Sequence, residues 1–145
     1  MRNNTLKLFF CMVCILLTLT SCSEKKNRLL DFNGEVAPPT DVIFETEYRE
    51  YSTDTETIAY VITNVTDGEI PIDMYTFDLQ YKTADGWKSV CFKTEVYFPY
   101  PALILKPNES YRHELVLDEY YYLPLEAGEY RIVKESDVTN VFSVR

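Results

Sequence analysis

At 145 residues the chain holds one domain of ordinary size. Its formal charge of −9 repels phosphate backbones, which argues against nucleic acid as a partner. A hydrophobic share of 46% is that of a globular protein with a core of its own.

The chain opens with a positive head followed by an apolar run. Arg2 and Lys7 are the only charges before Glu24, and Leu8 to Leu17 is almost wholly apolar. The run is short for a transmembrane helix, which needs about 20 apolar residues. It reads as a secretory signal over residues 1–21. Leu19-Thr20-Ser21-Cys22 resembles the lipobox of bacterial lipoproteins, an aliphatic residue and two small ones before a cysteine. The resemblance implies cleavage before Cys22 and lipid attachment to its thiol. Two or more acyl chains suffice for stable anchoring. The expected address is therefore the outer side of a cell membrane, held through the lipid on Cys22.

Of 14 basic groups, Arg2 and Lys7 leave with the signal, so 12 face 23 acids in the mature chain. That formal charge of −11 suits a soluble body near a membrane. Of four cysteines, Cys11 and Cys14 leave with the signal and Cys22 is acylated. Cys91 is left as a lone thiol without a disulfide partner, so stability must come from the core.

Residues 22–40 read as the lipidated cysteine and a flexible tether. Ser23 to Thr40 is polar, holds Gly34, Pro38 and Pro39, and keeps no period. Residues 41–145 are the folded domain. Strict alternation begins at Val42, Phe44, Thr46 and Tyr48, the mark of a half-buried strand. Thr57 to Val65 is β-branched and aromatic with both faces fairly apolar, as in a central strand. Asp67-Gly68 is a turn, and Tyr75, Phe77, Leu79 and Tyr81 alternate after it. Asp85-Gly86 closes a hairpin onto Trp87 to Phe92. Lys93 to Tyr100 is irregular and aromatic. Ala102 to Leu105 is a short strand, Lys106 to Glu109 a turn, and Tyr111 to Leu117 alternates again. Asp118 to Ala127 is a loop, and two strands near Tyr130 and Phe142 finish the chain. No helical window is found.

Eight short strands indicate an all-β sandwich or barrel. Glu126-Ala127-Gly128-Glu129-Tyr130-Arg131-Ile132 selects the immunoglobulin-like, antiparallel β-sandwich of about seven to nine strands. It matches the tyrosine corner at the start of strand F, whose hydroxyl bonds back to the preceding loop. The strands then letter as A 42–48, B 57–65, C 75–81, C′ 87–92, D 102–105, E 110–117, F 129–135 and G 140–145. Ile58-x-Tyr60-x-Ile62-Thr63-Asn64, Asp85-Gly86-Trp87, Leu105-x-Pro107-x-Glu109-Ser110 and Leu125-x-x-Gly128-x-Tyr130-Arg131-Ile132-Val133 together resemble the immunoglobulin-like domain of bacterial surface lipoproteins. Asn108 stands where such domains more often have Gly. The resemblance implies fold and location and no activity.

Chemical sites are sparse. His113 is the sole histidine, and a zinc site wants several N or S ligands. Ser110, His113 and Asp118 lack a nucleophile elbow, and the acids around Glu45 to Glu56 lack calcium spacing. No catalytic residue, metal ligand or cofactor is expected. The expected function is a non-catalytic interaction or display module for a protein or glycan. The alternative is a protease inhibitor of the bacterial β-sandwich type, whose N-x-T, W and P-x-E-S landmarks fall in similar order. If strand A starts at the tethered end, the A–B, C–C′ and E–F loops, roughly Arg49 to Glu56, Lys82 to Gly86 and Asp118 to Ala127, form the far tip. Tyr51, Tyr120, Tyr121 and Tyr122 are then the candidate contact residues, or they plug the open end beneath Tyr130.

Overall fold

The computed structural model describes residues 26–99, 102–135 and 137–145. Twelve strands and one helical turn lie among them. Two sheets pack face to face. The smaller has β2 (Val42–Thr46), β4 (Thr57–Asn64) and β9 (Ser110–Val116), with β4 in the middle and both pairings antiparallel. The larger runs β1 (Leu29–Asp31), β7 (Gly86–Val90), β6 (Asp78–Thr83), β10 (Gly128–Lys134), β12 (Phe142–Val144) and β3 (Glu50–Tyr51), with β11 (Asp137–Val138) paired to β10. A separate ribbon joins β5 (Ile70–Asp73) to β8 (Ala102–Leu105). One turn of helix, α1 (Leu117–Tyr120), follows β9.

The core lies where alternation aims it. Phe44, Ile58, Tyr60, Ile62 and Leu115 of the small sheet face Leu79, Tyr130, Ile132, Phe142 and Val144 of the large one, all 4% exposed or less. The immunoglobulin-like sandwich expected from the sequence is the fold observed, with the central strand and the β6–β7 hairpin in their expected places. Gly86 takes the positive φ of +117° that ends that hairpin's turn.

Several boundaries differ, each for a local reason. Strand A is divided. β2 pairs with β4, the chain crosses at residues 47–49, and β3 pairs in parallel with β12 in the other sheet. Inward alternation ends at Thr46, and Tyr48 is 61% exposed. Strand C starts at Asp78 rather than Tyr75. The Asp73 carboxylate accepts the backbone N–H groups of Tyr75 and Thr76 at 2.9 and 3.3 Å and folds that stretch into a turn. β5 was not foreseen, because Pro71 breaks a strand pattern of only four residues. Its antiparallel partner is β8, with Ile70 opposite Leu105.

The largest correction concerns the segment read as a flexible tether. Its described part, residues 26–40, is docked on the domain. β1 extends the large sheet antiparallel to β7, with Leu29 opposite Val90 and Asp31 opposite Lys88. Ala37 bridges Asp137. Backbone pairing holds this segment, so no side-chain period reveals it.

The landmark residues have structural work. Asn64 is fully buried. Its amide donates to the carbonyls of Gly68 and Leu105 at 2.7 and 3.0 Å, and its oxygen accepts from the Thr66 N–H at 2.8 Å. Asn108 has φ +63°, a conformation Asn tolerates nearly as well as Gly. Thr63 and Ser110 share a hydroxyl hydrogen bond of 2.7 Å across β4 and β9.

Candidate functional site

The E–F loop, residues 118–127, carries three of the four candidate contact residues, Tyr120, Tyr121 and Tyr122. It leaves β9 in α1, closed by the Tyr121 N–H on the Leu117 carbonyl at 2.8 Å. Tyr121 is 1% exposed and its ring lies 5.5 Å from that of Phe92. Tyr120 is half-buried against Phe77 and Phe98, at 5.0 and 6.1 Å between ring centroids. Tyr51 is 7% exposed, donates to the Ala59 carbonyl and packs on Phe142. Of the two readings the sequence left for these tyrosines, contact with a partner or plugging of the open end, Tyr51 and Tyr121 take the second and belong to the core. The reason is area: an open sandwich end needs large apolar plugs, and a tyrosine ring supplies one. Tyr122 is half-buried, and its backbone holds the N-terminal segment. The Tyr130 hydroxyl donates to the Glu126 carbonyl at 2.8 Å, the bond of a tyrosine corner. Gly128 beside it has φ +156°, and a Cβ there would stand 2.4 Å from the Tyr81 ring.

The N-terminal segment meets this loop directly. The Asn27 amide donates to the Tyr122 carbonyl at 2.7 Å and its oxygen accepts the Tyr122 N–H at 2.9 Å. Lys26 pairs with Glu126 at 2.7 Å, and the Cys91 N–H donates to the Arg28 carbonyl at 2.8 Å. A groove of about 600 Å³ runs between Lys26, Asn27 and residues 122–126. Cys22, the expected lipid site, lies outside the described residues.

On the outer face of the large sheet a polar network surrounds Trp87. The Arg131 guanidinium lies 4.4 Å from the ring centroid and donates to Gln80 at 2.8 Å. Gln80 and Ser89 both donate to Asp78, at 2.8 and 2.7 Å. Burial pushes the Asp78 carboxyl up, against the pull of these donors and of Arg131.

A second concavity opens between the start of β2, the end of β4, β5 and the β10–β11 turn. It holds about 250 Å³, with apolar walls from Val42, Phe44, Ile62, Ile70 and Ile72. Lys134 enters it with Asp41, Asp73, Glu135 and Asp137. Lys134 is only 6% exposed, donates to the Thr76 carbonyl and lies 5.8 Å from the Tyr60 ring centroid. Burial brings its ammonium down from 10.5 to about 8, opposed by Asp73 and Glu135. Sites that enclose a small molecule run from about 300 to 1,000 Å³. This cleft is smaller than that range.

His113 is half-buried, with Nδ1 at 3.2 Å from the Tyr111 hydroxyl and the ring 5.1 Å from that of Tyr60. Burial, then the Lys134 charge, lowers its pKa. Cys91 is half-buried and free. Sequence reasoning missed the tyrosines that are exposed, Tyr97 at 87% and Tyr48 at 61%. It also missed Lys134, which reads as an outward charge on a strand until the cleft is seen.

The family model described as bacterial Ig-like domain matches residues 38–143. No curated protein matches the chain.

Proposed function

The chain belongs to the bacterial Ig-like domain family, and from that premise we propose that it is a lipid-anchored, extracytoplasmic interaction module that displays its sandwich to a protein or glycan partner and performs no catalysis. The observation that carries this reading is the span of the match. Residues 38–143 cover the sandwich from β2 into β12, so the folded body is the Ig-like unit itself. The positive head, apolar run and Leu19-Thr20-Ser21-Cys22 that precede it are the chemistry of export and acylation. Exposed tyrosines support recognition of a macromolecule. The acidic surface supports freedom from nucleic acid.

Detergent phase partition tests the anchor. Wild-type protein from the native membrane should enter the detergent phase, whereas Cys22→Ala should stay aqueous or unprocessed. Correct cleavage at the same bond with continued detergent partition would refute lipidation. Cross-linking on intact cells followed by mass spectrometry should then recover a partner peptide joined to this domain. Recovery of membrane lipid alone would refute the interaction role.

A further inference from the structure

Resting on the lipid anchor at Cys22, we propose that the domain lies with the edge formed by β1 and the E–F loop against the lipid headgroup surface, and presents the opposite edge, at β3, outward. Lys26 is the first described residue, four positions after Cys22. From there the path is fixed by Asn27 clamped on Tyr122, Arg28 on Cys91, and the β1–β7 ladder. Four residues span about 14 Å at full extension, far less than an 18-residue tether would reach. β1 and β3 are the two outer strands of the large sheet, separated by five strand spacings, or about 24 Å. The leash is thus shorter than the sheet is wide, and the β3 edge cannot take the place of the β1 edge at the membrane. The anchored edge also carries Leu29 and Leu30, 38% and 46% exposed, and Leu123 and Pro124 line the groove together with Lys26 and Asn27. The acidic body is not drawn to anionic lipid, so chain length sets this orientation and charge does not.

This reverses the expectation that the E–F loop points away from the membrane. That expectation took strand A as the first element after the tether. The structure inserts β1 before it, on the other side of the sandwich.

Headgroup quenching tests the proposal on the full lipidated protein. Leu30→Cys and Arg49→Cys, each with Cys91→Ser, are labelled with bimane and reconstituted into phosphatidylcholine vesicles that carry a headgroup nitroxide. Flotation of the same samples reports the anchor. The label at position 30 should be quenched several-fold more than the label at 49. A flexible Gly/Ser insert after Lys25 should abolish the difference. Protein that floats with equal or reversed quenching, or with a difference that survives the insert, overturns the orientation alone. Protein that does not float overturns the anchor and this orientation with it.

Discussion

The hydroxyl of Tyr130 shows how much one atom of one residue decides. Its ring is 3% exposed and its 2.8 Å bond to Glu126 ties the end of the E–F loop to the start of β10. Tyr130→Phe keeps the ring and leaves the carbonyl without its partner, at a cost of about 1–3 kcal/mol. A thermal or urea melt of the variant should move by that amount, and an unchanged melt would remove the corner from the fold's supports. The acid-x-Gly-x-Tyr spacing made this residue legible in the sequence, because a corner is a local device with a local pattern. Tyr51 and Tyr121 were legible only as tyrosines. Whether a ring faces solvent or core depends on which strand it meets across the sandwich, and no local spacing encodes that.

Among the elements, a linear reading finds every long strand, whereas of the short ones it finds β8 and β12 and overlooks the rest. β4, β6, β9 and β10 have six to eight residues, enough for alternation to declare itself. β1, β3, β5 and β11 have two to four, and each exists because a partner strand lies alongside. β1 is the clearest case. Its three residues are all exposed, so burial contributes little, and the Asn27–Tyr122 clamp and the β7 ladder hold it. Asn27→Ala should therefore open this strand alone. Amide exchange at Cys91, whose N–H bonds Arg28, should quicken about tenfold for each 1.4 kcal/mol lost, while Ile132 and Leu79 in the core keep their rates. Loss of protection throughout the large sheet would instead make β1 part of the cooperative core. The strand also covers the outer side of β7, which would otherwise present unpaired backbone groups to other chains.

Taken as a whole, the molecule is an acidic sandwich whose stability varies with pH through a few buried groups. Lys134 is the main one. Its folded pKa of about 8 lies below the unfolded 10.5, so the unfolded chain binds more protons and stability rises with pH between those values. The burial penalty is fully present near pH 7, on the order of 3 kcal/mol. His113 acts with the same sign at lower pH: its lowered pKa makes the domain lose stability as pH falls through the His range. The buried tyrosines act oppositely above pH 10, since Tyr60 and Tyr130 are pushed up by burial. Lys134→Met removes the first contribution, and with it the Lys134 share of the His113 shift, which acts below pH 7. The stability of wild type relative to the variant should therefore grow by about 1 kcal/mol from pH 7 to pH 9, read from urea midpoints. A constant difference would place the ammonium in contact with water. At this scale Trp87 has an optical use. It is the only tryptophan in the chain, stacked by Arg131 and sited on β7, the strand that β1 covers. Excited beyond the tyrosine absorption band, its emission is therefore a built-in reporter of that flank. Release of the N-terminal strand, or approach of a lipid surface to it, can be followed in the unlabelled protein by a change in one fluorophore's colour and lifetime.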